Sequence, residues 1–458
     1  MSNRIPAFDD AEPINSSDDL LALFRHGEKP KEAWRIGTEH EKILFRLADR
    51  GQPSWEEEGG VRDLLEAFCR RYEWQPVLEE GRIIAASRDG ASLSLEPAGQ
   101  FELSGAPLEN LHQTCSETGL HRERCLEIGR ELGLGFLGLG SNPVARRDEL
   151  PWMPKGRYAI MRRYMPTVGQ LGLDMMTRTC TVQVNLDYGS EADMVRKFRV
   201  GLALQPLATA LFANSPFTER KPNGYLSWRS HIWTDTDPDR TGMLPFVFEE
   251  GFGYQRYAEY MLDVPMYFAY RDGRYVDVAG QSFRDFLAGR LAALPGERAT
   301  HGDWKDHLST AFPEVRLKSF LEMRGADSGP QSRICALPAL WVGLLYDEVA
   351  LDAAYDLVRR WTVEDMQRFR DEVPVLALRA RAPDGRTARA LAGEVLEIAA
   401  AALARRQRLN ALGESEAIFL QPLFEIVEAG RTLAEHWLDR FHSAWGGRVD
   451  PLFEEALF

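Results

Sequence analysis

Four glutamates open the question of chemistry. Glu39 and Glu41 stand two apart in RIGTEHEK, and Glu96 and Glu102 both fall on even positions of SLSLEPAGQFELS. Residues two apart on a β-strand point to one face, so each pair offers carboxylates on one side of a strand. Such oxygens suit a hard cation like Mg²⁺, which takes a few carboxylates and fills its shell with water and substrate phosphates. A solvated sheet face would show the same alternation. Glu322 and Arg324 in LEMRGAD repeat the spacing. The planar, permanently charged guanidinium matches a phosphoryl or carboxylate group, and a surface ion pair is the plain alternative. Residues 224–241 set Arg229, His231, Trp233 and Arg240 among turn formers. That mixture suits recognition of a small anionic amino acid, although a structural loop with aromatics plugged into the core would look alike. His231 by itself reads as structural.

The elements that must carry these residues follow from polarity with period two. In 92–104 the even positions Ser92, Ser94, Glu96, Ala98, Gln100, Glu102 and Ser104 oppose Leu93, Leu95, Phe101 and Leu103, with Pro97 and Gly99 bending the middle. In 179–187, Thr181, Gln183, Asn185 and Asp187 oppose Val182, Val184 and Leu186. In 316–324, Lys318, Glu322 and Arg324 share a parity that Phe320 interrupts, and in 35–45 Glu39 and Glu41 share a face. Four strands with apolar backs and polar fronts predict an antiparallel sheet with helices behind and a working surface in front. Helical patterns cover 56–72, 111–132, 191–213 with a kink at Pro206, 391–407 and 423–441. Ser17, Asp18 and Asp19 cap a helix at 20–24. No linker is visible, so residues 1–458 read as a single α+β catalytic domain. Residues 1–18 form a loose N-terminal arm, and 345–458 are mostly helical.

Bulk properties narrow the partners. The 458 residues carry a net charge of −14 with 44% hydrophobic and 27% charged residues. This disfavours nucleic acid or an anionic membrane as the main partner. The longest apolar stretch, 200–213, is too short to span a bilayer, and the N-terminus lacks an apolar signal core. A cytoplasmic protein is the expectation. Five cysteines without a C-x-x-C pair make no disulfide framework. There is no G-x-x-x-x-G-K-[ST] loop, so ATP use of that class is excluded. The G-x-G-x-x-G of Gly133, Gly135 and Gly138 follows a helix and enters a strand, the reverse of the dinucleotide order. G-x-S-x-G, H-E-x-x-H and zinc-type Cys/His clusters are missing as well.

Taken together, RIGTEHEK (35–42), SLSLEPAGQFELSGAPLENLHQTC (92–115), PWMPKGRYAIMRRYMP (151–166), LGLDMMTRTCTVQVNLD (171–187), residues 210–249 and FPEVRLKSFLEMRGAD (312–327) closely resemble the plant-type glutamate–cysteine ligases, shared by plants and many proteobacteria. The resemblance runs from about residue 30 to the C-terminus. It implies a glutamine-synthetase-like fold, a curved antiparallel sheet forming an active-site funnel with helices outside. It implies ATP as co-substrate, Mg²⁺ as cofactor, and ligation of the glutamate γ-carboxyl to the cysteine amine through γ-glutamyl phosphate. This is the first step of glutathione synthesis. By the same resemblance the metal ligands are Glu39, Glu41, Glu96, Glu102 and Glu322, with Gln183 where more distant ligases of the superfamily have a metal-binding histidine. Arg324 and Glu41 are the catalytic pair, Arg324 stabilising the transferring phosphoryl group. Arg229 holds a glutamate carboxylate, and Met176, Thr179, Asn185, Trp233 and Arg240 complete the pocket. Cys115 and Cys335 match one disulfide of the plant members. The implied partners are glutamate, cysteine and ATP, acting on a monomer or homodimer. A ligase of the superfamily using another amine, a metal-dependent hydrolase, and a non-enzymatic binding protein are the competing readings.

Overall fold

The protein is described over residues 10–458, from a computed structural model. The arm expected over 1–18 lies outside the described residues up to position 9. From there the chain is already tied down: Pro13 bridges Thr300, and the Ser16 side chain caps the helix Ser17–His26.

One long strand organises the molecule. Strand β1 (Ile36–Arg46) pairs along its length with three others. The other strands of its sheet are β2 (Gln75–Glu79), β3 (Arg82–Arg88), β4 (Ala91–Leu95), β5 (Phe101–Ser104), β6 (Leu134–Leu137), β7 (Thr181–Leu186), β8 (Val315–Leu317) and β9 (Leu321–Asp327). They form one nine-stranded sheet in the order β8-β9-β7-β1-β5-β4-β3-β2, with β6 on the second half of β1. Every pairing in it is antiparallel. Helices α1 (Leu111–Leu132), α3 (Glu191–Phe212) and α5 (Gln331–Leu345) back the sheet. Helices α2 (Gly156–Tyr164) and α4 (Trp228–Ile232) supply residues to the front. The expected α+β architecture is present. No single helix among the described residues is long and apolar enough to cross a membrane.

Two expected strands are hairpins. Residues 92–104 turn at Glu96–Gly99 instead of bending, because Gly99 takes φ +86° and Pro97 has no N–H for a ladder. The shared face survives, since the hairpin sets Ser92 opposite Ser104 and Ser94 opposite Glu102. Residues 316–324 likewise fold into β8 and β9, and Phe320, which interrupted the alternation, sits in their turn. The helix read over 423–441 is two helices, Gln421–Ala429 and Leu433–His442. Gly430 at φ +65° ends the first in a left-handed cap. The helix read over 56–72 begins only at Val61, after Gly59 and Gly60.

The back of β1 departs from the apolar expectation. Thr38, His40 and Lys42 are buried there. The Lys42 ammonium lies 2.8 Å from His121 Nε2 on α1 and over the rings of Phe458 and Phe101. Burial pulls Lys42 down to about 8.

Cys115 on α1 and Cys335 on α5 are joined by a disulfide, the pairing that the resemblance implied. Cys69, Cys125 and Cys180 are free. Thiol titration of the denatured protein should therefore find three groups before reduction and five after; five in both would remove the bond.

Candidate active site

In front of the sheet lies a cavity of about 530 Å³. Its wall is sorted by charge, and the register explains how. Alternation on β1 turns Gly37, Glu39 and Glu41 toward the cavity while Thr38, His40 and Lys42 face the helices. Glu41 stands directly opposite Glu102 on β5, and Glu39 lies between Ser104 and Gln183. Glu96 joins them from the β4–β5 turn. On β7 the wall carries amides, Gln183 and Asn185. On β8, β9 and their turn it becomes basic, with Arg316, Lys318 and Arg324.

Like charges directly opposite one another on neighbouring strands are destabilising. Burial, with Glu96 and Glu102 nearby, pushes the Glu41 carboxyl well above its usual range. Burial, Glu322 and Glu102 raise Glu39, and burial and Glu102 raise Glu96. A few donors offset this. Thr181 N–H donates to Glu41 Oε2 at 2.9 Å, and Asn185 Nδ2 to Glu39 Oε1 at 2.8 Å. Ser94 and Ser104 hydroxyls donate to the two oxygens of Glu102 at 2.6 and 3.2 Å. The remaining lone pairs face the cavity.

At the basic end, Arg324 donates to Gln183 Oε1 at 2.6 Å. Arg229 on α4 donates through Nη2 to the Arg324 carbonyl at 2.9 Å, while its Nε and the neighbouring Trp233 Nε1 find no partner among the described residues. Two buried, unused donors lining a cavity are a receptor for an acceptor group. Arg229 is held there by the N-terminus of α4. Ser227 caps that helix and donates to Asp327, and the Arg229 N–H donates to Ser215 Oγ.

Of the residues singled out from the sequence, Glu39, Glu41, Glu96, Glu102, Gln183, Arg229, Arg324, Met176, Thr179, Asn185 and Trp233 all line this cavity. Two do not. Glu322 was expected as a metal ligand, but both of its oxygens are engaged behind the wall. Arg316 grips it through two hydrogen bonds of 2.6 and 2.9 Å, Arg324 donates at 2.7 Å, and Lys318 stands 3.6 Å away. Burial alone would raise its carboxyl, yet these cations outweigh it and hold Glu322 far below the usual range. Arg240 was expected in the pocket. It is fully buried, paired with Asp237 at 2.6 Å, stacked 3.8 Å from the Tyr267 ring and bonded to the Thr310 and Pro265 carbonyls. Its donors are spent on holding the wall together.

Sequence reasoning missed Arg157, Arg316, Lys29 and Arg35 in the lining, and set Lys318 on the polar face without a role. Reading 316–324 as a hairpin, prompted by Phe320, would have put Arg316 opposite Glu322 and exposed the cluster. Arg157 carries no such signal.

The donor set for a cation is all oxygen, which fits Mg²⁺, and the mutual repulsion of the glutamates is what a divalent ion would relieve. Among the described residues no three His, Cys, Asp or Glu converge closely enough to hold a metal alone.

Comparison with known proteins gives consistent likenesses. The sequence profile of glutamate–cysteine ligase family 2 matches residues 35–455. The chain is 55% identical over 447 residues to a chloroplastic glutamate–cysteine ligase of Brassica juncea, covering 98% of this chain and 85% of the relative. It is 54% identical to chloroplastic glutamate–cysteine ligase B of Oryza sativa subsp. japonica, covering 98% and 88%. In fold it is similar to a glutamate–cysteine ligase of Francisella tularensis solved in complex with AMP. That likeness has a TM-score of 0.56 at 12% identity and covers 92% of this chain and 87% of the other. The expectation of a cytoplasmic protein is overturned by these relatives, which are chloroplastic by name. Lack of an apolar signal core does not argue for the cytoplasm, because plastid transit peptides are amphipathic, Ser-rich segments without such a core.

Proposed function

The chain belongs to the glutamate–cysteine ligase family and joins glutamate to cysteine at the expense of ATP; from that premise we propose that the charge-sorted wall divides the reaction between its two ends. The observation that carries this reading is the pairing of Glu41 with Glu102 at one end of a sheet whose other end presents Arg316, Lys318 and Arg324. Glu39, Glu41, Glu96 and Glu102 would hold Mg²⁺ together with substrate phosphates, with Gln183 and Asn185 as neutral neighbours. When bound, Mg²⁺ supplies neutralisation of phosphate charge. Arg229 and Trp233 offer their free N–H groups to a glutamate carboxylate. Met176 and Thr179 shape the adjoining wall.

A carboxylate is a poor electrophile, and ATP solves this in two steps. An oxygen of the glutamate γ-carboxylate attacks the γ-phosphorus, and ADP leaves. The cysteine amine then attacks the carbonyl carbon of the γ-carboxyl group, loses a proton, and expels phosphate that carries the original carboxylate oxygen. Charge spreads over the transferring phosphoryl oxygens in the first step, so positioned cations do most of the catalysis. Arg324 faces that group, and Glu322 acts through Arg324 and Arg316 by fixing their guanidinium planes.

The test uses glutamate labelled with ¹⁸O in the γ-carboxyl. One label per turnover should appear in phosphate, with cysteine preferred over other amines; unlabelled phosphate would refute the acyl phosphate. In the same assay Arg229→Ala should raise the KM for glutamate at least ~10-fold, the scale of one charged hydrogen bond. An unchanged KM would move Arg229 out of the glutamate site.

A further inference from the structure

Glu96 differs from the other three carboxylates. Glu39, Glu41 and Glu102 ride on paired strands and accept a hydrogen bond from a neighbour. Glu96 sits in the β4–β5 turn, and among the described residues no donor reaches its carboxylate. Its placement depends on the backbone of the turn alone. That backbone is caught from outside at successive carbonyls. Lys155 Nζ and Tyr158 Oη both donate to the Leu95 carbonyl, at 2.7 and 2.6 Å, and lie 3.4 Å from each other. Met153 N–H donates to the Pro97 carbonyl at 2.8 Å, and Gln52 Nε2 to the Ala98 carbonyl.

Two donors on one carbonyl, one of them a buried ammonium, hold a turn that is itself almost wholly buried. The Leu95 carbonyl belongs to the peptide plane that leads directly into Glu96, so fixing it fixes the Glu96 N–Cα bond, and the Gly99 N–H bonded to the Glu96 carbonyl at 2.8 Å restrains the rotation about it that aims the side chain. Lys155 is buried, is not part of the cavity lining, and spends its hydrogen bonds on the Leu95 carbonyl and the Tyr158 hydroxyl, with Glu96 and Glu102 close enough to feel its charge. We infer that Lys155 and Tyr158 form a clamp that positions Glu96 for the metal–nucleotide complex. Lys155 is thus a positioning residue of the active site that the reaction chemistry alone would not identify. The inference rests on the reading of Glu96 as a metal ligand.

The sign of one measurement separates a clamp from a simple charge effect. Removing a cation near a metal site should tighten divalent-ion binding on electrostatic grounds; removing a clamp should weaken it. Mn²⁺ as the probe, titrated in the presence of ADP and followed by electron paramagnetic resonance, reads binding without turnover. Lys155→Met should weaken Mn²⁺ binding ~10-fold, within the range for groups that orient metal ligands. Tyr158→Phe, the milder variant should Lys155→Met fold poorly, should weaken it in the same direction, and the KM for glutamate should stay within twofold for both. In a Glu96→Gln background neither should weaken it further. Tighter or unchanged Mn²⁺ binding in both clamp variants, or additive losses with Glu96→Gln, overturns the clamp. Unchanged binding in Glu96→Gln alone overturns the reading of Glu96, and the clamp with it, and is seen separately.

Discussion

Glu41→Gln should lower kcat by at least ~100-fold, the scale of losing electrostatic stabilisation at a reacting centre, while it raises the melting temperature. The two effects have one cause. Glu41 stands opposite Glu102 with Glu96 nearby, and burial and these neighbours raise its carboxyl well above the usual range. A group whose folded-state value is raised binds protons better in the folded than in the unfolded chain, so its ionisation works against folding as pH rises above the ordinary value of 4.5. Glutamine keeps an oxygen for the Thr181 N–H and removes the repulsion. It also removes a full negative charge from the proposed Mg²⁺ site, which the reaction needs. Steady-state kinetics at saturating Mg²⁺ and scanning calorimetry check the pair. Near-normal turnover would sink the assignment, and a lowered melting temperature would show that the repulsion is not felt.

Glu322→Gln should act in the opposite direction on stability. The carboxylate lies among Arg316, Arg324 and Lys318, with Arg316 bonded at both oxygens. Removing one partner of a buried ion pair costs about 3–5 kcal/mol, because the remaining charges stay buried and uncompensated. Since the cations hold the folded-state carboxyl far below its ordinary value of 4.5, its stabilisation is complete above that value and fades as pH falls below it. Urea unfolding at pH 7 should therefore show the full difference between wild type and variant, and the gap should narrow in acid. Turnover should fall as well, because Arg316 and Arg324 lose the anion that orients them. A variant as stable as wild type at neutral pH would contradict the arrangement. A loss of stability with unchanged kcat would release Arg324 from its proposed role.

Much of this site was legible in the sequence, for a physical reason. Period-two polarity survives even where the backbone was misread. Ser92, Ser94, Glu102 and Ser104 share a face whether residues 92–104 form one strand or a hairpin, because antiparallel register preserves the side. Glu39 and Glu41 were assigned to the cavity for the same reason. What alternation cannot reveal is which polar groups meet each other. Arg316 opposite Glu322 requires the turn to be known, and Arg240 looks like any loop arginine until Asp237 and Tyr267 are seen around it. The polar back of β1 was invisible for a related reason: Lys42 and His40 read as solvent-facing residues until α1 covers them.

The order of the sheet has a consequence for synthesis. The acidic half of the wall is complete once residue 104 has been made, but the basic half comes from β8 and β9, between residues 315 and 327, and is laid beside β7 at the sheet's edge. A nascent chain thus holds the clustered glutamates well before Arg316, Lys318 and Arg324 exist to face them. The strand that joins the halves cannot find both neighbours until late, and such distant pairings close slowly. A fragment ending before residue 315 would carry the carboxylates without the basic residues assigned to phosphoryl transfer.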